Sequence, residues 1–278
     1  GRKARQIHGH TALEITWTIL PILVLIAVAI PTVIAIAGSA REPRSDALHV
    51  TAIGHQWWFE FRYPGLGPDG GDLITANELR VPVGRQVAID LESKDVIHSF
   101  WVPQLIGKTD MVPGRHNKLE AFIPNEIGEF YGQCAEFCGS AHAQMRFRVH
   151  VDSLANFDQW VDSMRSEPPE PTDGTVEAAG KSVFQLAGGC AGCHAVQGVS
   201  TGTIGPNLTL FGDRTTVGAG ILPSSNENVK AWVSNVRDLK PIAEGIGMPT
   251  FHTGSELDLL TEAQVDQVVA YLKSLILQ

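Results

Sequence analysis

Cysteine is scarce in this chain of 278 residues, with four in all, too few for the dense disulfide framework that staples small secreted domains. Basic residues are outnumbered, 21 Lys and Arg against 30 Asp and Glu, and the net charge of −9 speaks against nucleic acid as a partner. Low-complexity stretches and internal repeats are both missing. What remains is an ordinary globular composition with 44% hydrophobic residues and a length that accommodates roughly two domains.

Charge is missing altogether from residues 15–40, a run dense in Ile, Leu, Val and Ala. As a helix rising about 1.5 Å per residue it reaches roughly 39 Å, against a hydrocarbon core of about 30 Å. Pro21 and Pro31 would break a soluble helix, but membrane helices tolerate them. The run is longer than the apolar core of a signal peptide, usually about 7–15 residues, so a retained span is expected, with residues 1–14 on its cytoplasmic side. The first residue is Gly, so a further N-terminal helix is expected to be removed or left out upstream.

Residues 41–165 read as β-rich. Short runs at 48–53, 57–63, 78–83, 86–91, 118–122 and 145–151 are separated by turn signals such as Pro68-Asp-Gly-Gly71 and Pro113-Gly114. The spacing predicts a β-sandwich or barrel, closed by a short helix over 154–164. A linker follows at 166–174 with Pro168, Pro169 and Pro171, and Asp173 is placed to cap the next helix. From 175 to 278 the pattern turns helical, with helices expected at 176–186, 227–239 and 261–277. In the last, Val265, Val268, Val269, Leu272 and Ile276 recur at intervals of three and four, as one buried face requires.

The cysteines fall into two close pairs, Cys134/Cys138 and Cys190/Cys193. As local disulfides they would close loops of a few residues, where a crosslink constrains the unfolded chain least. Both pairs have His neighbours, which a disulfide does not need, so metal and haem chemistry is the better reading.

Cys190-Ala-Gly-Cys193-His194 is the attachment motif of a c-type haem: two thiols add to its vinyl groups, and the adjacent His is delivered to the iron. A zinc site would need more ligands than this region offers, and a thioredoxin-like motif would need a βαβ context. For the sixth ligand the region offers only Met248 and His252, and Met248 is preferred because it sits in the flexible Gly245-Ile-Gly-Met-Pro249. That loop, and Gly205-Pro206-Asn207-Leu208, resemble class I cytochromes c, in which the equivalent proline carbonyl orients the proximal His. A Met/His pair leaves no open position on the iron, so the group is expected to carry electrons. Covalent haem attachment also places this side of the chain outside the membrane.

The second cluster reads Cys134-Ala-Glu-Phe-Cys138-Gly-Ser-Ala-His142-Ala-Gln-Met145, with His98 upstream at the end of an apolar run. Thiolate, imidazole and thioether are ligands that copper selects. Two Cys, two His and one Met suit two copper ions bridged by both thiolates.

The pattern resembles the CuA centre of cytochrome c oxidase subunit II. The resemblance extends over residues 8–150 through Leu13-Glu-Ile-Thr-Trp17, Gly54-His-Gln-Trp57, Asp95-Val-Ile-His98-Ser and Val102-Pro-Gln-Leu-Ile-Gly-Lys-Thr-Asp110-Met-Val-Pro-Gly-Arg115. The trailing haem domain is similar to the fused form found in caa3-type oxidases. The resemblance implies a multi-domain fold: a transmembrane helix, a cupredoxin-like β-domain and a small all-α class I cytochrome c domain. It implies copper held by His98, Cys134, Cys138, His142 and Met145, with Glu136 giving its backbone carbonyl to copper and its carboxylate to a Mg²⁺ shared with subunit I. It makes Trp57 the electron entry and Glu14 the mouth of a proton path. Asp110 and Arg115 become interface residues rather than a surface ion pair.

Two departures are visible: Trp58-Phe59 replaces the usual Tyr-Trp, and one membrane helix is seen instead of two, read as the second. The implied function is electron transfer from haem c to CuA, then to haem a and the oxygen-reducing haem–copper site of subunit I, coupled to proton translocation. The implied partners are subunit I and other oxidase subunits, membrane lipid, and either a soluble cytochrome c or a quinol-oxidising complex as donor. The location would be a bacterial cell membrane, with both metal domains on its outer, periplasmic side. A nitric oxide reductase subunit carrying CuA, a membrane-anchored free carrier and a copper-delivery protein remain as alternatives.

Overall fold

The computed structural model describes residues 8–39, 42–242, 247–255 and 258–277. The chain divides into two compact units, Gly1–Glu42 and Pro43–Gln278. The first is a single helix, α1 (Thr11–Ser39), which begins four residues before the charge-free run. Within it Thr16, Thr18 and Thr32 donate their hydroxyls to the carbonyls of Ala12, Glu14 and Val28, so these three hydroxyls are satisfied within the helix. It is long and apolar enough to cross a membrane, and Pro21 and Pro31 lie inside it. Residues 40 and 41 lie outside the described set.

The second unit opens with ten strands: β1 (Leu48–His55), β2 (Trp58–Tyr63), β3 (Leu73–Ala76), β4 (Glu78–Pro82), β5 (Val87–Ser93), β6 (His98–Val102), β7 (Ile106–Met111), β8 (Asn117–Lys118), β9 (Gly128–Cys134) and β10 (Arg146–Asp152). They form two five-stranded sheets, ordered β3-β2-β1-β5-β8 and β4-β10-β9-β6-β7, a curled cupredoxin-like arrangement. Fully buried Phe59 and Phe61 from one sheet meet Phe100 and Phe147 from the other, with ring centroids 4.7–6.5 Å apart. Tilted and edge-on contacts of this kind add to the burial that holds the sheets together. Residues 118–122 form less strand than expected: pairing stops at Lys118, and Phe122 makes only an isolated bridge to Val87. Helix α2 (Leu154–Arg165) follows, capped by Ser153 and burying Phe157, Trp160, Val161 and Met164.

Beyond the proline-rich stretch lie α3 (Val176–Ser182), α4 (Cys190–Cys193), α5 (Asn226–Ser234), α6 (Val236–Leu239) and α7 (Glu262–Ser274). Thr175, not Asp173, caps α3, because the helix starts at Val176 and the Thr175 hydroxyl accepts the Ala178 N–H. The helix expected at 176–186 widens into a π turn over Val183–Ala187. The one expected at 227–239 breaks at Asn235, whose extended backbone lets its side chain cap α6. In α7 Val265, Val268, Val269 and Leu272 are buried as expected, with Tyr271 beside them, but Ile276 lies past the helix end and is half exposed. Two short hairpins, His194–Val196 with Ser200–Thr203 and Thr216–Val217 with Leu222–Pro223, join this helical domain.

The domains have separate apolar clusters and meet along a polar seam. Buried Glu78 on β4 accepts from the Thr215 and Thr216 N–H groups at 2.9 and 3.3 Å, and the Arg146 N–H donates to the Ala219 carbonyl. Leu210, Ile242 and Leu277 of the helical domain also pack against the core of the β-domain.

Candidate metal and haem centres

Neighbouring strands β10, β9 and β6 end together, and the copper-type residues sit at that end. His98 opens β6, Cys134 closes β9, and the loop from Cys134 to Met145 leads directly into β10. His98, Cys134, Cys138 and Met145 are buried. The Cys134 and Cys138 sulfurs stand 3.8 Å apart, and both cysteines are free. A disulfide needs about 2.05 Å. Two sulfurs sharing a metal ion at about 2.3 Å and a near-tetrahedral angle stand about 3.8 Å apart, so the spacing fits a metal ion bound by both sulfurs.

The other donors surround this pair. His98 Nδ1 lies 3.9 Å from Cys134 Sγ, and the Glu136 carbonyl 3.2 Å from the same sulfur. His142 Nδ1 lies 3.5 Å and Met145 Sδ 3.8 Å from Cys138 Sγ. His98, Cys134 and Cys138 bring their donor atoms within 4.8 Å of one another. All six expected residues are thus together, Glu136 through its main chain. Each sulfur has one imidazole and one weak donor beside it.

The electrostatics fit the same chemistry. Hydrogen bonding from Cys138 pulls the Cys134 thiol down, while Cys138 is pushed up by its neighbour and by burial. Two thiolates this close cannot both ionise unaided, and a bound cation removes that conflict.

Asp95 is the residue that sequence reasoning quoted without a role. Its carboxylate accepts from His98 Nε2 at 2.7 Å and from the Val96 and Gln56 N–H groups at 2.7 Å each. Burial alone would raise its pKa, but these bonds hold it below the usual carboxylate range. The bond fixes the His98 tautomer and leaves Nδ1 facing the sulfurs, as a carboxylate behind a metal-bound His does. A carboxylate three residues before a ligand His was the available signal. Gly54 completes the cradle: a Cβ there would lie 2.6 Å from the imidazole of His98.

Trp57 is buried beside this cluster, 5% exposed, and donates its indole N–H to the Cys138 carbonyl at 2.9 Å. The Gln56 amide donates to the same carbonyl at 2.7 Å. Lys240, from the helical domain, also reaches here and donates to the Trp57 carbonyl at 2.6 Å. Burial pushes its ammonium down to about 7, against a weaker opposing pull from Cys138. No sequence pattern marked Lys240.

In the helical domain Cys190 and Cys193 bound the single turn of α4, a spacing that sets both thiols on one face. The adjacent His194 donates Nδ1–H to the Pro206 carbonyl at 2.7 Å, the bond expected of that proline. Burial lowers the His194 pKa, so its imidazole is neutral and Nε2 carries a free lone pair. A Cβ on Gly205 would lie 2.5 Å from His194 Cε1, so glycine lets the ring sit against the backbone. These features fit a haem-bearing site. Met248 is partly buried on the same apolar cluster as Cys190. His252 is engaged elsewhere, its Nδ1 2.7 Å from Asp258 and 3.1 Å from the Leu260 carbonyl.

Glu14 sits in the exposed first turn of α1. Asp110 pairs with Lys108 at 3.6 Å rather than with Arg115.

Residues 67–152 match the family described as cytochrome c oxidase subunit II, periplasmic domain, and residues 177–275 match cytochrome c. The apolar helix together with the periplasmic-domain match supports a membrane-anchored chain whose β-domain faces the periplasm. Cytochrome c oxidase subunit 2 of Alkalihalophilus pseudofirmus is 40% identical over 278 residues, 98% of this chain and 75% of that protein. The same subunit of Bacillus sp. strain PS3 is 34% identical, over 98% of this chain and 76% of that protein. The periplasmic domain of subunit II of Bradyrhizobium japonicum cytochrome oxidase is 32% identical at a TM-score of 0.41, covering 44% of this chain and 95% of that one. On the identity and coverage of the Alkalihalophilus and Bacillus proteins, the chain belongs to the cytochrome c oxidase subunit II family, as a member with a cytochrome c-like domain fused behind its β-domain.

Proposed function

We propose that the chain is the electron-input subunit of a caa3-type haem–copper oxidase, taking electrons from a donor at a covalent haem c and delivering them through a dinuclear CuA centre to subunit I. The observation that carries this reading is the six-residue donor set around two free thiols 3.8 Å apart, in one chain with a Cys-x-x-Cys-His motif. His98, Cys134, Glu136, Cys138, His142 and Met145 would hold the copper pair. Cys190, Cys193, His194 and Met248 would hold the haem. Bound there, the two groups supply one-electron couples.

The protein's part is to keep geometry fixed. Asp95 and Pro206 orient the imidazoles of His98 and His194, Gly54 and Gly205 admit these two rings, and the sheets around the thiols exclude water. Trp57 is the proposed aromatic of the electron path, its indole N–H hydrogen bonded to the Cys138 carbonyl. The Glu136 carboxylate is proposed as a ligand of a Mg²⁺ shared with subunit I, and Glu14 as the entrance of a proton path. The catalytic reduction of oxygen, with its proton translocation, belongs to subunit I.

The test is to purify the membrane complex that contains this chain and record its EPR spectrum and its consumption of oxygen and of nitric oxide. A seven-line mixed-valence copper signal, a c-type haem band and turnover of oxygen are expected. Nitric oxide turnover without oxygen turnover overturns the oxidase assignment, and a copper-loaded complex without the seven-line signal overturns the dinuclear centre.

A further inference from the structure

A short segment of the helical domain reaches the residues around Cys138. Helix α6 ends at Lys240, whose N–H still bonds to the Val236 carbonyl, and the chain runs on through Pro241 and Ile242 toward Met248. All three residues of this segment engage the β-domain. Lys240 Nζ donates to the Trp57 carbonyl at 2.6 Å. The Pro241 carbonyl accepts from the Ser140 hydroxyl at 2.7 Å, two residues beyond Cys138. Ile242 packs on the apolar core of the β-domain.

Lys240 is the unusual member. It is 3% exposed, and the Trp57 carbonyl is its one hydrogen-bond acceptor among the described contacts. Packing alone would need only an apolar stem, because a buried ammonium must give up its hydration. What the ammonium adds is direction. It grips the main chain of the residue whose indole N–H holds the Cys138 carbonyl, so two consecutive hydrogen bonds join the cytochrome domain to a copper-type thiol residue.

We infer that Lys240–Pro241–Ile242 is an intramolecular latch in which Lys240 acts as a positioning residue, fixing the cytochrome domain over Trp57 so that the copper centre receives its electrons from within the chain and an external donor meets only the haem. The inference rests on the proposed function for its redox half and on the contacts alone for its mechanical half. Lys240 acts on distance and orientation: one electron passes, no bond changes and no proton moves.

The test compares wild-type complex with Lys240→Met, which keeps the stem and loses the ammonium, Lys240→Arg, which restores a donor, and Ser140→Ala, which removes the second contact. Hydrogen exchange read by mass spectrometry is expected to quicken about tenfold or more at residues 56–59, 138–141 and 236–242 in Lys240→Met, with strand β5 unchanged. After flash reduction of the haem, electron arrival at copper is expected to slow about tenfold and to recover in Lys240→Arg, with haem absorption and copper EPR unaltered. Ser140→Ala is expected to quicken exchange at the same segments to a smaller degree. Unchanged exchange in Lys240→Met overturns the latch, and quickened exchange with an unchanged transfer rate overturns Lys240 as a positioning residue. A wild-type complex lacking the haem or the mixed-valence signal overturns the preceding functional reading, while the exchange comparison still decides the latch.

Discussion

At the copper-type site six donors from two strand ends and one loop converge around a pair of sulfurs, whereas at the haem motif one imidazole is held and the proposed partner Met248 lies on a separate loop. The difference follows from the scaffolds. Strands β6, β9 and β10 are neighbours in a sheet, so the register that pairs Phe100 with Cys134 and Gln133 with Arg146 also fixes the strand ends that carry the ligands. A metal entering such a site finds its geometry ready. The cytochrome domain is made of helices of 4–13 residues joined by turns, and helices that short are marginal without tertiary support. Its apolar cluster is also the smaller of the two.

The strongest way to break the comparison is to deny each domain its group. In Cys190→Ala/Cys193→Ala, which cannot attach haem, amides over 176–277 are expected to exchange about 100-fold faster, while those over 48–152 stay within about threefold of wild type. Stripping copper from the wild-type protein is expected to leave both regions within about threefold. Hydrogen exchange by mass spectrometry reads both. Equal loosening of the two domains would show that the sheet is no better organised than the helices.

A smaller effect separates the two orienting groups. Asp95 holds His98 through a side chain, but Pro206 holds His194 through a main-chain carbonyl, which no substitution removes. Asp95→Asn keeps the shape and loses the charge, and it is expected to weaken copper binding by about 10–100-fold in competition with a chelator. Haem content, measured by absorbance, is expected to stay at the wild-type level. The group behind His98 is thus open to side-chain exchange, and the group behind His194 is not.

How far the sequence revealed all this depends on how local each cause is. Cys190, Cys193 and His194 are legible because haem attachment is a matter of spacing within five residues. Cys134, Cys138, His142 and Met145 stand close together in sequence and are legible likewise, and His98 stands out as a His at the end of an apolar run. Strand β9 was not legible: Gly128, Gly132 and a mix of Glu and Gln hide its alternation, and its place is set by pairing with β10. Strand β7, with Gly107, Lys108 and Asp110, is hidden likewise. The break at Asn235 depends on a side-chain cap that competes with helix continuation, and such competition leaves little trace in periodicity. Lys240 was the least visible of all. It follows a short helix like any surface lysine, and its meaning comes from Trp57, which lies in the other domain of the same unit.

The smallest expected effect lies where the two regions meet. Glu78 on β4 accepts from Thr215 and Thr216 across the seam, with His150 3.3 Å from its second oxygen. Glu129 on β9, the Arg148 it pairs with on β10, Arg80 on β4 and Arg214 of the helical domain are the other charges around it. Burial alone would raise the Glu78 pKa, but the His150 imidazole, the Arg214 charge and the Thr216 N–H outweigh it and hold the carboxyl below its ordinary value. A carboxyl depressed in the folded state contributes stability that is complete above its unfolded pKa, about 4.3, and is lost as pH falls through the folded value. Acidification below about pH 4 should therefore loosen residues 215–219 before the sheets unfold, at about 1.4 kcal/mol for each unit of depression. Glu78→Gln should remove that part of the acid dependence, because the amide still accepts from the two N–H groups but no longer titrates. Exchange of the Thr215–Ala219 amides, followed from pH 6 to pH 3 in both proteins, is the measurement. If both proteins loosen along the same curve, the seam is held by the apolar contacts of Leu210 and Leu277 and the carboxylate is incidental to it.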